Sequence, residues 1–199
     1  MNDLQRRYIL LDRDGVINRR RSNGPVKSWA TFEFLPRSLD ALRLLAANQY
    51  AAILISHQPC SLDGPQTASE LDAITRRFML EVAISAGHIA QVYYCRHWKE
   101  DGCNCYKPNT GLIERASTDY GFSLEETYFV SEQESELRVA EVAGCSCIQI
   151  QRDAFLQTQP VMAGRYLVAS TLYETAEKIL TLDAEREHGP IALALRQYR

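Results

Sequence analysis

The amino-acid sequence predicts an α/β fold: a three-layer, doubly wound and mainly parallel sheet covered by helices on both faces. Three observations carry that prediction. Short apolar runs alternate along the chain with amphipathic stretches of helical period, the order that builds a parallel sheet through crossover helices. The runs are apolar at consecutive positions, as strands buried on both faces are. The chain has 199 residues, 46% of them apolar, enough for one core that buries roughly 70% of the unfolded surface without disulfides or a partner chain.

The first strand is the run at residues 8–11, stopped by Asp12-Arg13-Asp14-Gly15. A helix follows from Pro36, with Leu39, Leu42, Leu45 and Ala46 on one face and Asn48 at its end; proline suits a first helical turn. Residues 51–55 form the second strand, which ends at Ser56-His57-Gln58-Pro59. Leu71, Ile74, Phe78 and Val82 mark a longer helix within residues 67–86. Residues 92–94 form a third strand leading into a cysteine-rich loop, followed by a helix over 110–120 with Gly121 near its end and a strand over 128–130. Residues 134–143, closed by Gly144, form a helix, and 147–150 a fifth strand. After a loop containing Pro160 and Gly164, residues 166–168 add an edge strand, and Leu172, Ala176, Ile179 and Leu180 line a last helix. With no internal repeat or low-complexity linker, residues 1–185 read as one domain and 186–199 as a peripheral tail.

Charge excludes some partners. Twenty-two Lys and Arg against 25 Asp and Glu leave a net charge of −3, which gives no long-range field toward nucleic acid or an anionic membrane. No stretch approaches the roughly 20 apolar residues of a membrane span, and the polar N-terminus lacks a signal region. A cytoplasmic, monomeric protein acting on a small molecule is expected.

Ligands of such sheets bind beyond the carboxyl ends of the strands, which directs attention to Asp12 and Asp14, Ser56 and His57, the loop 95–105, and Ser131 with Glu132. Two residues apart at a strand end, the Asp12 and Asp14 carboxylates point into the same space. They repel unless a cation compensates, and Mg²⁺ prefers such oxygen ligands; an ordinary polar turn is the competing reading. Cys95, His97, Cys103 and Cys105 lie within eleven residues, a Cys₃His set able to close a tetrahedron around Zn²⁺ with no position left for water, hence a structural site. Unligated loop residues in a reducing cytosol are the alternative there. Cys60, Cys145 and Cys147 read as buried free thiols.

Asp12-Arg13-Asp14-Gly15-Val16-Ile17-Asn18 after an apolar strand resembles the opening motif of the haloacid dehalogenase-like phosphatases. The resemblance implies that Asp12 attacks phosphorus, that Asp14 is the general acid and base, and that Ser56 and Lys107, the latter in Tyr106-Lys107-Pro108, bind the phosphoryl oxygens. It also implies a catalytic Mg²⁺ held by Asp12, Asp14 and Glu132. The cysteine loop, Phe32-Glu33-Phe34-Leu35-Pro36 and Ser56-His57-Gln58 are similar to segments of the D-glycero-D-manno-heptose 1,7-bisphosphate phosphatases and the related histidinol-phosphate phosphatase domains. In that subgroup a zinc loop stands in for a large cap domain.

The pattern departs from the family at several positions. The acidic motif Gly-Asp-x-x-x-Asp is Ser131-Glu132-Gln133-Glu134-Ser135-Glu136 here, and each extra methylene moves a carboxylate by about 1.5 Å. These glutamates also suit a helix N-terminus. The family's Arg before the lysine is Tyr106, its Asn in the second motif is His57, and a further Arg is Asp63; Tyr106 and His57 remain candidates for substrate contact. Arg19, Arg20 and Arg21 offer replacement charge, although a solvated arginine run is the expected reading. The sequence thus points to a Mg²⁺-dependent phosphatase acting on a small sugar phosphate through an aspartyl-phosphate, with heptose 1,7-bisphosphate, attacked at its 7-phosphate, as leading substrate and histidinol phosphate as alternative. A diverged, zinc-stabilised binding protein is the reading of a different class.

Overall fold

The structure, a computed structural model, describes residues 6–22, 24–60, 66–152 and 166–188. The loop with Pro160 and Gly164, Asp63 and residues 189–199 of the expected tail lie outside them.

Six strands form one parallel sheet: β1 (Arg7–Leu11), β2 (Tyr50–His57), β3 (Ile89–Cys95), β4 (Tyr128–Ser131), β5 (Ser146–Ile150) and β6 (Leu167–Ala169), in the order β3-β2-β1-β4-β5-β6. Among the described residues four α-helices lie between strands, α1 (Ser38–Ala47), α2 (Ala68–Ile84), α3 (Gly111–Tyr120) and α4 (Glu134–Val142), and a fifth, α5 (Leu172–His188), follows β6. The expected sheet is therefore present and wholly parallel.

Alternation along each strand divides the core into two layers. Ile9 and Leu11 of β1, Ala52 and Leu54 of β2 and Val130 of β4 pack with α1, α2 and α5, while Leu10, Ile53, Ile55 and Phe129 pack with α3 and α4. Leu71, Ile74, Phe78 and Val82 are the buried residues of α2, at the spacing that turns one helical face inward. Gly121, at φ +67, ends α3 in the left-handed conformation that a side chain disfavours.

Three elements differ from the sequence expectation. β2 continues through Ser56 and His57, which pair with Tyr94 and Cys95 of β3, so those two residues are held by the sheet and not by a loop. β3 begins at Ile89 because its first residues are only half-buried at the sheet edge, which hides the apolar signal. α5 runs to His188, past the boundary expected at 185. Cys145 and Cys147 are buried as expected, but Cys60 is only half-buried.

The order reverses at β1, with β2 and β3 on one side and β4 to β6 on the other. The crevice beyond the carboxyl ends of β1 and β4 is thus the switch point where open parallel sheets bind ligands. Among the described residues, no connection on this side builds a second domain over it.

Candidate active site

Asp12 follows β1 directly, anchored by its amide donating to the Val130 carbonyl at 3.0 Å. Its carboxylate is 2% exposed and accepts from the Ser56 hydroxyl at 2.9 Å. Asp14 follows two residues later. Its carboxylate accepts from Asn18 Nδ2 at 2.7 Å, from Gln58 Nε2 at 2.5 Å and from Arg13 Nη2 at 3.0 Å. Arg13 and Asn18 are fully buried and Gln58 nearly so, so Asp14 is oriented by a rigid set of donors while its own side chain keeps a path to solvent.

Lys107 Nζ pairs with Glu136 at 2.5 Å, and Ser131 Oγ donates to the same carboxylate at 2.8 Å. Burial and the adjacent Glu136 charge push the Asp12 carboxyl up to about 8, with Lys107 acting in the opposite direction. Burial acts the same way on Glu136, but the Lys107 ammonium holds it below its ordinary value. A cation brought to Asp12 would favour its charged, nucleophilic form.

Such a position exists. Asp12 Oδ2 and the Asp14 carbonyl oxygen lie 3.4 and 2.8 Å from Arg20 Nη2, and Glu132 Oε2 lies 3.5 Å from Arg20 Nε, so one guanidinium reaches all three oxygens. Two carboxylate oxygens and a backbone carbonyl are the hard donor set that Mg²⁺ takes, so the residues fit that ion in kind. The solvated reading of the arginine run is corrected for Arg20, whose side chain, although 40% exposed, reaches all three of these oxygens. Gly15 is favoured by its backbone, whose φ of +88 side chains rarely adopt, and a Cβ there would also displace Glu132 Oε2, 2.1 Å away.

The Cys₃His loop lies beside the crevice. Cys105 Sγ is 3.3 Å from Cys95 Sγ, 3.2 Å from Cys103 Sγ and 3.1 Å from His97 Nδ1, and Cys95 and Cys103 sulfurs are 3.8 Å apart. Zn–S bonds of about 2.3 Å give tetrahedral edges of about 3.8 Å, so four ligand atoms this close fit a structural zinc. Asn109 ties the loop down by donating to the Cys103 carbonyl at 2.9 Å. His57 connects loop and crevice: its Nε2 lies 2.9 Å from the His97 carbonyl oxygen and its ring meets Tyr106 edge-on at 4.7 Å.

Of the residues predicted from sequence, Asp12, Asp14, Ser56, Lys107 and Glu132 therefore surround one crevice. His57 and Tyr106 pack against each other at its zinc-loop side, and His57 also lines a cavity of about 320 Å³ with Asp14, Arg20, Arg21, Gln58 and Trp98. Sequence reasoning missed Gln58 and Arg152. Gln58 stands two residues after Ser56, the strand period that returns to the same side. Arg152 follows the end of β5 and reaches Glu132 Oε1 at 2.9 Å and the Gly15 carbonyl; extending the strand-end rule to the fifth strand would have found it.

No protein-family model matches the chain. It is 31% identical over 140 residues to D-glycero-beta-D-manno-heptose-1,7-bisphosphate 7-phosphatase of Bordetella bronchiseptica, covering 70% of this chain and 78% of that one. It is 30% identical over 148 residues to D-glycero-alpha-D-manno-heptose-1,7-bisphosphate 7-phosphatase of Mycobacterium tuberculosis, covering 71% and 78%. The crystal structure of D,D-heptose 1,7-bisphosphate phosphatase from B. bronchiseptica, complexed with magnesium and phosphate, superposes with a TM-score of 0.79 at 29% identity, over 88% of this chain and 98% of that one. Identity at this level over most of each chain, on a shared fold, shows the family: the chain belongs to the D-glycero-D-manno-heptose-1,7-bisphosphate phosphatases of the haloacid dehalogenase-like superfamily.

Proposed function

We propose that the protein is a Mg²⁺-dependent phosphatase that removes a phosphate from a small sugar phosphate, with D-glycero-D-manno-heptose 1,7-bisphosphate as substrate and its 7-phosphate as the group attacked. The observation that supports this best is the pair of aspartates at the switch point, one buried against Ser56 and the other held by Asn18, Gln58 and Arg13 with a path to solvent. Buried nucleophile and accessible acid need those two environments.

In this reading an Asp12 carboxylate oxygen bonds to phosphorus as the ester P–O bond breaks, and Asp14 gives its proton to the departing sugar oxygen. Asp14 then takes a proton from water, whose oxygen attacks phosphorus and releases the Asp12 carboxylate and inorganic phosphate. Ser56 orients Asp12 before attack and turns its single hydroxyl proton to a phosphoryl oxygen once phosphate is bound, while Lys107 donates to the other equatorial oxygens. Asp12, the Asp14 carbonyl and Glu132 would hold Mg²⁺, which supplies charge neutralisation of nucleophile and phosphoryl group. His57, Tyr106 and the zinc loop would line the sugar side. The two relatives act on opposite anomers of the heptose, so both belong in the assay.

The test is phosphate release from both heptose 1,7-bisphosphate anomers, histidinol phosphate and simple sugar monophosphates, with Mg²⁺ present. The 7-phosphate of one heptose anomer is expected to be released fastest. Faster release from histidinol phosphate overturns the substrate. Release from none of them favours the non-catalytic, zinc-stabilised binding protein, a reading that the guanidinium on the oxygen set also supports.

A further inference from the structure

Both oxygens of Glu132 are held by arginine. Arg152 Nη1 takes Oε1 at 2.9 Å and Arg20 Nε approaches Oε2 at 3.5 Å. Arg20 Nη2 meanwhile donates to the Asp14 carbonyl at 2.8 Å and lies 3.4 Å from Asp12 Oδ2. Arg152 thus holds one Glu132 oxygen, while Arg20 alone reaches the other together with the Asp14 carbonyl and Asp12. Mg²⁺ bonds oxygen at about 2.0–2.1 Å, so an ion bound by the Asp14 carbonyl and Asp12 would contend with Arg20 Nη2, which lies 2.8 and 3.4 Å from those oxygens, for one position beside them. Two cations cannot share that point.

The contact is built to open. The Arg20 side chain is 40% exposed and borders the cavity shared with Arg21, His57 and Trp98. The backbone beside it is fixed, since Arg19 donates its amide to the Glu33 carbonyl at 2.8 Å and pairs with the Glu33 side chain. The side chain of Arg20 can therefore leave the oxygens without moving the loop that carries it.

We propose that Arg20 is a resident counter-ion that competes with Mg²⁺ for the oxygens of Asp12, Asp14 and Glu132, so that the metal binds only by displacing it. Competition of this kind lowers apparent metal affinity by the fraction of molecules in which the guanidinium has left. It also makes the free cavity more cationic when the metal is bound, because the displaced charge moves toward the space where an anionic substrate enters.

This proposal rests on the metal position assigned in the proposed function but requires no turnover, and its test reads metal binding alone. Mg²⁺ is titrated calorimetrically into the full chain, purified without chelators, as wild type, Arg20→Gln and Arg20→Gln/Glu132→Gln. Arg20→Gln is expected to bind Mg²⁺ at least tenfold more tightly than wild type, and the added Glu132→Gln to abolish that gain. Equal dissociation constants for wild type and Arg20→Gln, including the case where neither binds, overturn the proposal. Tight binding that survives Glu132→Gln also overturns it, since the metal then sits elsewhere. A tenfold gain together with no release from any sugar phosphate would refute the proposed function and leave the competition standing.

Discussion

Removing the metal from the Cys₃His loop tests how much of the crevice depends on it. Cys105 lies within 3.3 Å of the other three ligand atoms, so the cluster holds the chain between β3 and α3 to one geometry only while a cation offsets the crowding of three sulfurs. A metal held at about a thousandfold above its dissociation constant contributes about 4 kcal/mol to folding. For a chain of this length 1 kcal/mol corresponds to about 2–4 °C in Tm, so a strong zinc chelator should lower Tm by about 8–16 °C. Cys105→Ser should produce a similar fall and reduce zinc content below stoichiometric. The effect should reach the crevice, because His57 contacts the His97 carbonyl and packs on Tyr106, the neighbour of Lys107. The measurements are elemental analysis and thermal unfolding with and without chelator, the metal then being added back. A Tm unchanged by the chelator, or zinc far below one equivalent in untreated protein, refutes the reasoning.

Four further outcomes are expected. Asp12→Asn should lower phosphate release by about a thousandfold or more while retaining the fold, as judged by circular dichroism, since in the proposed function it removes the attacking carboxylate. Tyr50→Phe should cost about 1–3 kcal/mol in denaturant unfolding, because the buried Asp183 carboxylate accepts from Tyr50 and loses that donor, leaving the Arg7 contact at 2.9 Å. Glu174 accepts from the Ser170 amide and hydroxyl and pairs with Lys178, which together hold its carboxyl down at about 2; a folded-state value below the unfolded one stabilises above pH 4.5 and is lost as pH falls toward 2. Glu174→Gln should therefore lower Tm at pH 7, and the gap from wild type should close as the melts are repeated toward pH 2. Glu132→Asp should tighten Mg²⁺ binding, but combining it with Arg20→Gln should add less than the sum of the two effects in free energy, because both relieve one contact; strict additivity in the calorimetric cycle would show the two residues to be uncoupled.

The fold was legible because strands buried on both faces leave continuous apolar runs, and β1, β2 and β4 do so, while in β5 only Gln149 interrupts the run after Ser146. The signal weakened where burial did: Ile89, Ala90 and Gln91 of β3 are partly exposed at the sheet edge, and the last two residues of β2 are polar because they face the crevice. Asp12, Asp14 and Ser56 could be placed from the strand ends alone, and the cysteine loop from ligand density. Arg20 could not. A run of three arginines reads as a solvated face, and what selects the middle one is a three-dimensional fact, the convergence of Asp12, Asp14 and Glu132 oxygens from two separate strand ends within its reach.

Those same contacts explain why the departures from the family pattern belong together. Glu132 is one methylene longer than the aspartate expected there, and the added reach places its carboxylate over Gly15 and between Arg20 and Arg152. Glu136, lengthened likewise, meets Lys107 and raises the Asp12 carboxyl by its charge. Each longer acid is paired with a cation, Glu132 with Arg20 and Arg152 and Glu136 with Lys107, on either side of Asp12. The charge at Asp12 is then set by the balance between Glu136, which disfavours its ionised form, and whichever cation holds the oxygens beside it. In the proposed function, exchange of Arg20 for a divalent ion would double the positive charge at that point and so favour the ionised Asp12 that attacks phosphorus.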